Sequence, residues 1–273
     1  MDPGFLFAFL LTLAAGLSTG IGSVIGLLSR GFHPRLLSLS LSFSAGVMLF
    51  VSFVEIFPKA RQSLEAVLGG RLGYGAALLA FFAGIGVIAL IDRLLPEHHL
   101  LPVAPFQAAS EEAGPLDSRV RPSAALMRTG LFTALAIAIH NFPEGLATFV
   151  GAIAHPRLGL SIALAIAIHN IPEGLAISAP VYFATRSRRL AFLLSFASGL
   201  AEPIGAVVGY LLLRQVFNDV VFGLVFASVA GIMVYICFDE LLPTARQHGA
   251  HGLMMVGVLG GMAVMSLSLL LLV

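Results

Sequence analysis

The sequence predicts an all-α polytopic membrane protein of eight transmembrane helices, and three observations predict it. The 273 residues are 58% hydrophobic and 11% charged, with a mean hydropathy of +0.99. A soluble globular domain carries about 25% charged residues. Apolar stretches of roughly 18 residues or more recur along nearly the whole chain, each long enough to cross a hydrocarbon core of about 30 Å as a helix. Charged residues, proline and glycine divide these stretches into eight spans, and most links between them are too short to form a domain outside the membrane.

The first span, about 4–28, follows Met1-Asp2-Pro3-Gly4-Phe5. That start lacks the basic segment and small-residue cleavage site of a signal peptide, so it reads as a retained helix. Spans at about 36–57 and 73–95 come next. After them, residues 96–125 hold Pro96, Pro102, Pro105, Pro115 and Pro122 among Glu111, Glu112, Asp117, Arg119 and Arg121. This composition reads as a flexible cytoplasmic loop. The remaining spans are about 126–150, 157–182, 189–213, 219–241 and 252–272. Residues 1–273 thus form one transmembrane domain with the 96–125 loop inside it.

Lysine and arginine orient the spans, because cytoplasmic links carry the excess of both. Of the 15 basic residues, 10 fall in odd-numbered links and 5 in even-numbered ones. Both termini are therefore expected outside the cytoplasm. A net charge of +1 without any basic cluster excludes nucleic acid as a partner and leaves the lipid bilayer. The single cysteine, Cys237, cannot form an intramolecular disulfide or a Cys-based structural zinc site, and it reads as core packing. No GxxxxGK[ST] motif is present, so ATP hydrolysis by this chain is not the driver.

The informative feature is an internal repeat. Residues 136–147, AIAIHNFPEGLA, recur 29 positions later at 165–176 as AIAIHNIPEGLA, identical at eleven of twelve positions. Both copies lie near mid-span, where an ionised side chain costs about 2.5–3.5 kcal/mol. On a helix His140 stands one turn below Glu144, with Asn141 three residues before the same Glu. His169, Asn170 and Glu173 repeat the pattern. Pro143 and Pro172 each remove a helical hydrogen bond and are expected to bend the helix beside the polar cluster. Gly145 and Gly174 leave the helix surface bare for an ion or another backbone.

Two readings follow from these residues. The His and Glu could pair with one another and hold two helices together. The stronger reading makes them ligands, because neutral imidazole and carboxylate oxygen together suit divalent zinc, iron, manganese or cobalt. Glu202, before Pro203 in the sixth span, is a third intramembrane carboxylate. Glu55, toward the outer end of the second span, reads either as a metal-pathway carboxylate or as an interfacial residue. Asp239 and Glu240, before Pro243, read as solvated helix-end residues with a pathway role as the alternative. His98, His99, His248 and His251 are weak candidates for feeding metal.

The twin HNxPEG repeats, the Gly199-Leu200-Ala201-Glu202-Pro203 segment and the eight-span layout resemble the ZIP (Zrt/Irt-like) family of divalent-metal transporters across essentially the whole chain. The bacterial uptake branch is most similar, through Phe43–Met48 leading to Glu55 and Ala230–Val234 leading to Asp239 and Glu240. The resemblance implies a 3+2+3 arrangement of spans with inverted pseudo-symmetry and the metal on the fourth and fifth. It implies His140, Glu144, His169 and Glu173 as one site, with Asn141, Asn170 and Glu202 forming a second that Glu144 and Glu173 bridge. The cargo would be zinc, with iron, manganese, cobalt and cadmium as further ions, imported through a bacterial inner membrane without a catalytic cofactor. A homodimer stays open. The family's His-rich loop is reduced here to His98 and His99, which argues against a metal-feeding loop.

An intramembrane metal-dependent enzyme, a protease or a di-iron oxidase, is the rival, since His and Glu on facing helices can hold a catalytic metal. Neither HExxH nor an ExxH pair occurs in the spans, where the order is HxxxE with proline inside it. The chain is therefore expected not to be an enzyme.

Overall fold

The computed structural model describes residues 3–28, 34–94, 124–213 and 215–272, and these residues are helical apart from short links. The helices are α1 (Pro3–Leu28), α2 (Pro34–Val51), α3 (Phe57–Leu68), α4 (Gly70–Leu94), α5 (Ala124–Ala154), α6 (Pro156–Thr185), α7 (Arg188–Gly199), α8 (Ala201–Leu213), α9 (Asp219–Ile236), α10 (Leu242–His248) and α11 (His251–Leu272). Five-residue π-helical turns, Ser52–Ile56 and Cys237–Leu241, join α2 to α3 and α9 to α10. Among the described residues the result is eight helical columns. Seven are long and apolar enough to cross a membrane among the described residues, and α5 is the other. The 96–125 loop falls almost wholly outside the described residues, as do His98 and His99.

The links are short because local chemistry ends each helix sharply. One extended residue, His155, separates α5 from α6, with Pro156 set at the start of the new helix. Arg186 takes a left-handed conformation (φ 56°) at the end of α6. Ser187 then caps α7 by accepting the Leu190 N–H at 3.2 Å. Asn218 caps α9 in the same way, accepting the Val221 N–H at 3.0 Å.

Three columns differ from the expected spans. The second runs on to Leu68 and the seventh to His248, beyond the expected ends at 57 and 241. An apolar run marks where a helix leaves hydrocarbon, not where its hydrogen-bond ladder stops. The extensions also have cores of their own, with Ala60 and Leu64 of α3 fully buried. The sixth column breaks at Leu200, between α7 and α8.

The prolines fall in two settings. Helices α5 and α6 run unbroken through Pro143 and Pro172, whereas the irregular turns lie just before Pro58, Pro203 and Pro243. At Pro58 and Pro243 the missing N–H frees the carbonyl four residues back, and the preceding turn widens. Phe57 N–H bonds to the Ser52 carbonyl, and Leu242 N–H to that of Cys237.

Helix α1 packs chiefly on α6, α5 on α6 and α8, α2 on α11, and α9 on α4. Met48, Phe226, Ile162, Ile166 and Met233 are fully buried in the main apolar cluster between these columns. The polar centre lies between α5 and α6.

Candidate metal centre

The two motif copies face each other across the α5–α6 contact. His140 is 1% exposed, and Asn141, Glu144, His169, Asn170, Glu173 and Glu202 are wholly buried. Partners are exchanged between the helices, although the spacing alone placed His and Glu on one helix face. His169 Nε2 lies 3.1 Å from Glu144 Oε2, and His140 Nε2 lies 3.5 Å from Glu173 Oε2. Each imidazole of one copy therefore meets the carboxylate of the other.

Asparagines bind this centre to the neighbouring columns. Asn170 Nδ2 donates to the Ala15 carbonyl of α1 at 3.0 Å and to Glu202 Oε1 of α8. Asn141 Nδ2 donates to the Ser198 carbonyl of α7 at 3.3 Å. Ser44 of α2 donates to the His169 carbonyl at 3.3 Å. The bare surfaces of Gly145 and Gly174 receive backbone rather than an ion. A Cβ on Gly145 would overlap the Glu202 carbonyl, and one on Gly174 the Thr19 carbonyl. Any larger residue there would push α8 or α1 away from the centre.

Charge and hydrogen-bonding capacity are left over. Nine side-chain atoms of these seven residues are buried without a hydrogen-bond partner among the described residues: both ring nitrogens of His140, Nδ1 of His169, both asparagine Oδ1 atoms, Oε1 of Glu144, both oxygens of Glu173 and Oε2 of Glu202. Buried polar atoms are normally satisfied, and each unpaired one costs free energy. Helix glue would use up these groups, whereas a binding site keeps them for a ligand. Among the described residues no three imidazole, carboxylate or thiol groups form a closed cage around one ion. The groups stand instead as two His–Glu pairs.

The structure brings Glu240 in and leaves Glu55 out. Glu240 sits within the π-helical turn of the seventh column, not at a solvated helix end, because the helix continues to His248. Its Oε2 lies 3.8 Å from His140 Nδ1. His140 and Glu240 also line a small, half-open pocket together with Ile88, Asp92, Tyr235 and Asp239, among others. Asp92 of that lining has no distinguishing signal in the sequence, because an acid near the end of an apolar run looks like an ordinary interfacial residue. Cys237 is buried against the Ala45 carbonyl at 3.6 Å.

A buried cluster of imidazole, carboxylate and amide among helices long and apolar enough to cross a membrane is characteristic of the class of membrane transporters. The chain belongs to the ZIP family. Residues 96–269 match the family described as ZIP zinc transporter. The zinc transporter ZupT of Chlorobaculum parvum is 59% identical over 99% of both chains. That of Clostridium perfringens is 51% identical over 97% of this chain and 96% of its own, and that of Nitratidesulfovibrio vulgaris is 53% identical over 99% and 98%. The family is one of transporters, so the chain is not an enzyme, and the protease or oxidase alternative is not favoured.

Proposed function

We propose that this protein imports divalent zinc into the cytoplasm through the bacterial inner membrane, with iron, manganese, cobalt and cadmium as further cargo. The observation that carries this reading is the set of nine buried atoms on His140, Asn141, Glu144, His169, Asn170, Glu173 and Glu202 that accept or donate no hydrogen bond among the described residues. Two imidazoles and two carboxylates form the first site. Glu144 and Glu173 extend it to a second through Asn141, Asn170 and Glu202, giving a binuclear centre. Accumulation of zinc-65 in metal-starved cells expressing the protein tests the reading, and cells that take up no more than an empty-vector control would refute it.

The helix contacts support a 3+2+3 arrangement with inverted pseudo-symmetry. The first column packs on the fifth as the sixth does on the fourth, and the second packs on the eighth as the seventh does on the third. Alternating access of a midplane site is the mechanism such an arrangement serves. The pocket lined by Glu240, Asp239 and Asp92 marks the side on which release would occur in this reading, since carboxylates at intervals keep a cation from crossing apolar surface alone.

Two expected results follow for orientation and pH. A cysteine at Gly252, where a side chain meets open space, should react with an impermeant thiol reagent only after the cells are permeabilised. One at Gly70, equally open, should react in intact cells, both in a Cys237→Ser background. The reverse pattern would invert the topology and carry the pocket to the outside. Uptake should fall as pH drops through the free imidazole value of about 6.5, because protons compete with metal for the ligands. A flat profile from about pH 7 to about 5.5 would count against histidine ligation.

A further inference from the structure

A second internal repeat joins the two π-helical turns. Residues 45–62, AGVMLFVSFVEIFPKARQ, align without gaps with 230–247, AGIMVYICFDELLPTARQ. Glu55 falls on Glu240, Pro58 on Pro243, and the turn Ser52–Ile56 on the turn Cys237–Leu241. The surroundings repeat as well. A Cβ on Gly46 would overlap the Val258 carbonyl of the eighth column, and one on Gly231 the Phe81 carbonyl of the third.

The second and seventh columns run in opposite senses, so the repeat relates Glu55 and Glu240 as equivalent positions pointing toward opposite ends of the bundle. Glu240 approaches His140 Nδ1 at 3.8 Å. His169 holds the equivalent place in the other motif copy. Its Nε2 is already engaged with Glu144, while its Nδ1 is buried without a partner. Glu55 is only partly buried and is the carboxylate that the repeat assigns to that nitrogen.

We propose that Glu55 is the outer counterpart of Glu240: when the site faces outward Glu55 stands against His169 Nδ1 and receives the incoming divalent cation, and when it faces inward Glu240 stands against His140 Nδ1 and passes the cation on. This rests on the transport reading above. A widened turn before proline suits the task, because π-helical turns leave carbonyls loosely bonded and let a side chain swing without unfolding the helix. The two carboxylates then act in turn, one at capture and one at release.

Zinc-65 uptake measured against external zinc, per molecule of protein in the membrane, tests the assignment. Glu55→Gln should raise the half-saturating zinc concentration about tenfold while keeping the maximal rate within about twofold. Glu240→Gln should do the opposite, lowering the maximal rate with half-saturation little changed. Glu55→Asp, which keeps the charge on a shorter arm, should lie between wild type and Glu55→Gln, and it carries the test if the amide variant does not accumulate. An unchanged half-saturation in the Glu55 variants, or loss of maximal rate alone, overturns the proposal. Absence of uptake by the wild-type protein would instead overturn the transport reading.

Discussion

Alanine at any one of His140, Glu144, His169 or Glu173 is expected to cut zinc uptake to about a hundredth or less of wild type while the protein still reaches the membrane. Each substitution removes one ligand and strands its partner on the facing helix: Glu173→Ala leaves His140 unpaired, and His169→Ala leaves Glu144 unpaired. An isolated intramembrane charge costs about 2.5–3.5 kcal/mol, and 1.4 kcal/mol is about a factor of ten. The double variant His140→Ala/Glu173→Ala removes both members of one pair, so it should accumulate better than either single variant yet remain inactive. Uptake assays with immunoblots of membrane fractions give both quantities. Normal transport by all four single variants would make the cluster helix glue.

Loss of the third carboxylate should change stoichiometry before it stops transport. Glu202 is wholly buried and takes a hydrogen bond from Asn170, while its Oε2 has no partner among the described residues. The two asparagines are neutral, so only Glu202 adds charge beside the shared Glu144 and Glu173. Metals bridged by carboxylates stand about 3.5–4 Å apart, close enough for mutual repulsion to weaken both and speed release. Glu202→Ala is therefore expected to lower the metal content of purified protein from two ions to one. It should retain more uptake than Glu144→Ala, with an altered rate or metal preference. Elemental analysis and transport on one preparation decide this. One metal in saturated wild type, or two in the variant, removes the bridging arrangement.

The centre was legible in the sequence because it is written twice. A buried carboxylate is costly in a membrane, so two HNxPEG copies 29 residues apart could hardly be accidents of composition. The second repeat, 45–62 against 230–247, was equally present but less visible, since most of its matches are apolar residues that any span would contain. Glu55, Asp239 and Glu240 were accordingly singled out without a role that the spacing could fix.

Periodicity and hydropathy determined by themselves that the chain crosses a membrane, roughly where it does so, and which side chains are too costly to bury without a use. They could not determine partners. Helical spacing relates His140 to Glu144 on one helix, but packing of α5 against α6 pairs His140 with Glu173 and His169 with Glu144. Nor could a proline announce whether it would interrupt a helix. Pro143 and Pro172 lie inside helices that run on through them, close to Gly145 and Gly174, against which the backbones of α8 and α1 pack. Pro58 and Pro243 follow the two π-helical turns, the second of which sets Glu240 beside His140. Burial cost depends on residue type and depth, which a sequence states directly. Pairing depends on which helix faces meet, which only the packed structure decides.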